Sequence, residues 1–307
     1  MAKLADPAYE HKYYVDGPAA FGHVKFSDGK WKAVVASSLG AGGKAVFALN
    51  ASAPNLATTS DGVLWEFAAS NTGDGAYIGN VLNKPIVAQL NSAVAAPAVI
   101  FGNGINSFNN KASLIVLNAE TGQVIRTCTP TDAANTVGNG MTSVAQVSTA
   151  EDGQVDLVYA GDYKGNIWRI NPKVASCGTD AVLVFTAENA AGKAQPITAE
   201  LSIKKAPNSK SGYMVLFGTG QYSTVADPTN KDEQTLYGVW DENVTTPTAG
   251  TVNAKRSNLA QYKFGSYVAA TNTRGSTVQG DTTVNSGKTW LETTGQKGWM
   301  IDLKCDG

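Results

Sequence analysis

Histidine is almost missing from this sequence. Of 307 residues two are histidine, His11 and His23. Both fall within the first 23 positions, and no nucleophile-elbow or triad context surrounds Ser37, Ser38 or Asp162, so a serine hydrolase is not expected. Cysteine is as scarce, with Cys128, Cys177 and Cys305 the whole supply. None lie two to four residues apart, which removes the spacing of a zinc cluster. Charge is sparse too: 16% of residues are charged and the formal net charge is −1. No basic face is on offer to phosphates, and nucleic acid is not expected as a partner. No window approaches the roughly 18 uninterrupted apolar residues of a membrane helix, and the polar opening MAKLADPAYEHKYY is not a secretory signal. Met1 and Ala2 read as a start placed ahead of a domain boundary, and the chain is expected to continue past the ending LKCDG. An Arg-Gly-Asp triplet is also missing, so an integrin-type contact through that motif is not available.

Glycine, by contrast, is abundant at 32 residues. With clustered Asn, Thr and Ser it gives the composition of many turns between short strands. Four segments repeat one pattern: WKAVVASSLGAGGKAVFALN (31–50), AVIFGNGINSFNNKASLIVLN (98–118), VDLVYAGDYKGNIWRIN (155–171) and GYMVLFGTGQYSTVADPTNKDEQTLYGVWD (212–241). Each is an apolar strand, a glycine-containing turn and a second strand closing on Asn50, Asn118, Asn171 or Asp241, which is a β-hairpin. Gly40, Gly104, Gly161 and Gly220 fall at corresponding places, where the backbone needs positive φ or close approach. Further strands, VLWEF (63–67), QVIRTC (123–128) and GWMIDL (298–303), extend each hairpin toward a four-stranded antiparallel unit, and a self-similar series of such units predicts a β-propeller. A β-sandwich shares the short strands but does not require the repetition. The tracts Pro247 to Asn258 and Ala269 to Lys288 read as loops or exposed hairpins. Cys128 and Cys177 each follow a closing strand, so two neighbouring units either join them as a disulfide or keep two buried thiols.

One stretch carries candidate chemistry. Calcium loops place oxygens at alternate positions around a glycine-centred turn. In Ser148 to Asp156, the positions of such a loop are Ser148, Ala150, Asp152, Gln154 through its carbonyl, and Asp156, with Gly153 at the turn. Two of these lack a carboxylate, and the competing reading is a polar turn between strands. GAGGK (40–44) lacks the spacing and following helix of a phosphate loop and reads as a hairpin turn. Trp31, Trp65, Trp168, Trp240, Trp290 and Trp299 sit beside strand-forming neighbours, which favours packing over a sugar-stacking platform.

The order of the blocks YYVDGPAAFG, WKAVVASSLGAGGKAVFALNAS, YIGNVLNKPIVAQL, VIFGNGINS, LIVLNAETGQVIR, DLVYAGDYKGNIWRIN, LFGTGQY and GWMIDL resembles the C-terminal domain of the PilY/PilC family of type IV pilus biogenesis factors and tip adhesins. The resemblance covers nearly the whole chain. It implies an all-β modified β-propeller of about seven blades, some irregular, forming one domain over 1–307 of a larger secreted protein whose N-terminal region lies outside this sequence. It further implies a non-enzymatic role in pilus biogenesis, adhesion and control of extension and retraction or twitching. The implied location is the cell surface, reached through the periplasm and outer membrane, with minor pilins, other tip components and host surfaces as partners. Calcium at the Ser148–Asp156 loop is the cofactor the resemblance implies. Two rivals remain: a quinoprotein-like propeller dehydrogenase, suggested by LNAETGQVI but lacking the adjacent cysteine pair, and an outer-membrane assembly scaffold.

Overall fold

The computed structural model describes residues 7–52, 62–91, 96–173, 181–242, 244, 254–268, 273–278 and 295–303, the side chains of 263–278 excepted. They form four sheets that follow one another along the chain, the first three antiparallel meanders and the fourth a mixed sheet that begins as one. The first contains β1 (Ala20–Lys25), β2 (Trp31–Ser38), β3 (Ala45–Asn50) and β4 (Val63–Ala68), and the second β5 (Ile86–Gln89), β6 (Pro97–Gly102), β7 (Leu114–Asn118) and β8 (Val124–Cys128). The third contains β9 (Met141–Val147), β10 (Leu157–Asp162), β11 (Asn166–Ile170) and β12 (Ala181–Thr186). The last has six strands, β13 (Ser202–Lys205), β14 (Tyr213–Gly218), β15 (Gln234–Asp241), β16 (Ala260–Val268), β17 (Thr273–Val278) and β18 (Gly298–Leu303), in the order β13-β14-β15-β18-β16-β17. The four repeats are the second and third strands of the four sheets. The helical segments described are short 3-10 turns, such as Gly40–Gly42 and Gly73–Tyr77.

Consecutive sheets stack face to face, and period-2 alternation decides which side chain meets which neighbour. In β6, Val99 and Phe101 pack with Val34, Ala36, Val46 and Trp65 of the first sheet. Ala98 and Ile100 of the same strand face Val158, Ala160 and Trp168 of the third. Tyr159 and Ile167 of the third then meet Val215, Phe217 and Tyr237 of the fourth. Every residue of β6, β10 and β11 is buried. That explains why β6 and most of β10 read as apolar runs rather than as alternation, whereas β11 buries two polar residues, Asn166 and Arg169, bonded to Asp162 and Asp241. Each large side chain buried this way contributes about 1.5–3 kcal/mol.

Buried polar side chains tie the connections together. Asn103, after β6, accepts from the Ser113 and Met141 amides at 3.0 and 2.9 Å and donates to the Tyr77 and Lys111 carbonyls at 2.8 and 2.9 Å. Asp162, at the end of β10, accepts five hydrogen bonds: from the Lys164 and Asn166 amides, and from Asn139 Nδ2, Asn166 Nδ2 and Trp168 Nε1. Both residues are fully buried, and the donors supply what a buried carboxylate or amide otherwise lacks.

Several expectations change in detail. Four sheets are described where the resemblance implies about seven blades, because units recurring every 50–70 residues leave room for about four in a chain of 307. GWMIDL, read as another closing strand, is β18, paired antiparallel with β15 and parallel with β16. Cys128 is disulfide-bonded, so the reading as a free thiol does not hold for it; Cys177 and Cys305 lie outside the described residues, as does Trp290. Most of 247–258 and 269–288 lies outside them too, though Thr273–Val278 is the strand β17. Of the repeat glycines, Gly40 has φ +62°, with Asp16 2.3 Å from where a Cβ would stand, whereas Gly161 is needed for space, Ile197 being 2.6 Å from its absent Cβ.

Candidate metal site

The turn that joins β9 to β10 is Ser148–Asp156. Its ends are fixed by the pairing of Val147 with Leu157 and by the Asp156 amide, which donates to the Val147 carbonyl at 2.9 Å. Between them Glu151 and Gly153 take positive φ, +57° and +79°. The turn thereby reverses direction and separates its acidic residues into two groups. Ser148, Asp152 and Gln154 form one: Asp152 Oδ1 accepts from Ser148 Oγ at 3.1 Å and the Gln154 amide at 2.9 Å, and Oδ2 from Gln154 Nε2 at 3.0 Å. Asp156 stands apart, buried at 6% exposure. Ala150, exposed, contributes no side-chain oxygen.

Asp156 is surrounded by donors. Oδ1 accepts from Asn91 Nδ2 at 2.7 Å and from the Lys173 ammonium at 3.0 Å, while Oδ2 accepts from the Thr149 amide and hydroxyl, both at 2.7 Å. Burial pushes its pKa up, but the Thr149 and Lys173 hydrogen bonds and the Lys173 charge outweigh that and hold it down at about 2. Glu151 turns outward to an exposed ion pair with Lys205. A hard dication needs six to eight oxygens with free lone pairs aimed at it. Here the lone pairs of Asp156 point at hydrogens, those of Asp152 are shared within the turn, and the third position is a methyl group. In this arrangement the residues do not fit calcium. Among the described residues no cluster of three His, Cys, Asp or Glu side chains gathers as a metal set.

Sequence reasoning missed three members of this cluster, Asn91, Thr149 and Lys173. Lys173 has a signal in retrospect. Val158 pairs with Ile170 across β10 and β11, so the residue before β10 lies beside the residues after β11. The closing Asn171 then accepts from the Lys173 amide at 3.0 Å, the same Asx turn that Asn50 and Asn118 make with the amides of Ser52 and Glu120.

The fourth closing residue behaves differently. Asp241 is fully buried between the third and fourth sheets, where its Oδ2 accepts from Arg169 Nη1 at 2.6 Å and Tyr159 Oη at 2.7 Å. Burial first, then the Asp241 carboxylate, raise the pKa of the Tyr159 phenol. The three side chains, Tyr159, Arg169 and Asp241, are buried within a sheet interface. Ser38 donates to the Val81 carbonyl at 2.7 Å and Ser37 to Gly17 at 3.1 Å, both structural bonds. Trp65 and Trp168 are buried between sheets, Trp240 and Trp299 are half-buried, and Trp31 is exposed beside a groove of about 560 Å³ that Asp152 and Gln154 also line.

The stacked four-stranded meanders are those of a β-propeller, and residues 1–271 match the family model described as PilY1 beta-propeller domain. The chain belongs to that family of type IV pilus biogenesis factors. It is 36% identical over 260 positions to a type IV pilus biogenesis factor PilY1 homolog of Xylella fastidiosa, covering 78% of this chain and 17% of that protein. It is 34% identical over 340 positions to the type IV pilus biogenesis factor PilY1 of Pseudomonas aeruginosa, covering 100% of this chain and 28% of that protein. The crystal structure of the Pseudomonas aeruginosa PilY1 C-terminal domain superposes with a TM-score of 0.75 at 31% identity, covering 96% of this chain and 63% of that one. The chain thus spans less than a third of the length of the curated relatives it matches.

Proposed function

We propose that this chain is a non-enzymatic docking domain of a type IV pilus, acting at the cell surface on minor pilins or other tip components. Through that contact it supports pilus biogenesis, adhesion and the balance of extension and retraction. Its match to PilY1 biogenesis factors over its whole length is the observation that carries this reading. The placement of exposed apolar side chains adds a surface. In every sheet the loop between the second and third strands, and the connection to the next sheet, emerge at the same end. Those loops present Leu82, Phe108, Val137, Tyr222 and Val225, and the segment leading into β1 presents Tyr13, Tyr14 and Val15, all exposed. At the opposite end the exposed large hydrophobic side chains among the described residues are fewer: Trp31 and Val63, where β2 and β4 of the first sheet begin. Exposed aromatic and aliphatic side chains gathered on one side favour a protein partner.

Calcium at Ser148, Ala150, Asp152, Gln154 and Asp156 is not needed for this role, since four donors already fill the Asp156 carboxylate. The test is capture of purified minor pilins by the immobilised 307-residue protein, with calcium and with chelator. Capture in both conditions is expected. Failure to retain any minor pilin in either condition contradicts the docking role.

A further inference from the structure

We infer that Lys173 supplies the cation of the Ser148–Asp156 turn, so that the chain's own ammonium closes this turn in place of a divalent metal. The geometry of Asp156 carries the argument. A carboxylate offers about four lone-pair directions, and Asp156 receives four donors: Asn91 Nδ2, Lys173 Nζ, and the amide and hydroxyl of Thr149. A metal ion at this carboxylate has to displace the ammonium and turn at least one other donor away. The side chains of Lys173 and Asp156 are 26% and 7% exposed. The pair is therefore screened less by solvent than the exposed ion pair of Glu151 with Lys205.

The chain reaches this state by its ordinary folding. Lys173 is delivered by the β10–β11 hairpin and its Asx turn, and Asn91 by the connection that follows β5, whose amide donates to the Val155 carbonyl at 3.1 Å. Three parts of the molecule therefore converge on Asp156, two of them from the third sheet and one from the second. In a metal-dependent turn such convergence waits on the ion. Here it is complete within the chain. The positions where a calcium loop supplies further oxygens are the ones this sequence has given up: Ser148 donates to Asp152 and Ala150 has no oxygen to offer.

The experiment is thermal melting of the 307-residue protein in millimolar calcium and in chelator, for the unmodified chain and for Lys173→Met, Lys173→Arg and Asp152→Asn. The unmodified protein should melt at the same temperature in both buffers. Lys173→Met should melt lower, by ~3–6 °C for a chain of this size, and Lys173→Arg should recover most of that loss. A calcium-dependent rise in the unmodified protein that vanishes in Asp152→Asn overturns the inference, as does a Lys173→Met protein that melts where the unmodified one does. A rise that persists in Asp152→Asn overturns it equally, because an asparagine carbonyl still ligates calcium at that position. Should Lys173→Met fail to fold, the calcium comparison on the unmodified protein and on Asp152→Asn, which alters an exposed residue, decides alone. Pilin capture is independent of these melts, so the docking role stands or falls separately.

Discussion

Arg169 of the third sheet and Asp241 of the fourth meet at 2.6 Å with 2% and 0% of their side chains exposed. Removing one partner of such a pair leaves a buried charge, which costs about 3–5 kcal/mol. Asp241→Asn and Arg169→Met are each expected to lower stability by about that amount in urea titrations, with the third and fourth sheets losing protection first in hydrogen exchange. Replacing both at once should cost less than the sum of the two single changes, because each single change already removes the bond between them. Additive losses would show that the two residues act independently.

Asp162 answers five donors at the end of β10. Asp162→Ala should orphan all of them at once and prevent stable folding. The milder Trp168→Phe removes one donor, Nε1 at 2.8 Å, and should cost about 1–3 kcal/mol by the penalty for a lost buried hydrogen bond. Equilibrium denaturation of the two proteins checks the order; a Trp168→Phe chain as unstable as Asp162→Ala would show that the ring's packing, not its N–H, is what matters.

Asp227 holds the loop that carries Tyr222 and Val225. Hydrogen bonds from the Ser223 amide, Gln221 Nε2 and the Thr224 amide bring its pKa down to about 2 from an ordinary 3.8. A depressed carboxyl pKa stabilises the folded form above the ordinary value, and that contribution is lost as pH falls from about 3.8 to about 2. Carboxyl-carbon NMR should therefore find Asp227 titrating near 2, with the Ser223 and Thr224 amide shifts moving in step. An ordinary midpoint would mean that the loop does not hold these bonds in solution.

Cys128 closes β8 and is disulfide-bonded. Peptide mass analysis without reduction should find it linked to Cys177 or Cys305, the other two cysteines of the chain. Reduction should lower stability by about 2–4 kcal/mol. Recovery of a free Cys128 peptide from the unreduced protein would contradict the bond.

Much of this architecture is legible in the amino-acid sequence. The four repeats are the second and third strands of the four sheets; the burial of most of their residues gives them one apolar pattern, and the glycine between them marks each reversal. The closing residues were legible as a series, but not the meaning of its exception. Asn50, Asn118 and Asn171 cap their own turns, while the acidic Asp241 reaches across to Arg169, 72 positions earlier. Only the stacking of sheets reveals that. The same holds at the candidate metal turn: Asp152, Gly153 and Asp156 have the look of a calcium loop in sequence, yet Asn91, 65 positions away, and Lys173, 17 positions away, decide what Asp156 binds. The blade count was not legible, because the period between units is set by insertions such as the β14–β15 loop rather than by strand length.

The docking end is the central claim, and capture of minor pilins tests it most directly when two sets of substitutions are compared. Phe108→Ser, Tyr222→Ser and Val225→Ser, combined in one protein, alter exposed side chains at the end proposed to meet the pilus. Trp31→Ser alters an equally exposed aromatic outside those loops. The account predicts that the triple variant folds normally and captures at least tenfold less pilin (about 1.4 kcal/mol or more of binding energy), while Trp31→Ser captures as much as the unmodified protein. Undiminished capture by the triple variant, or a loss confined to Trp31→Ser, would contradict it.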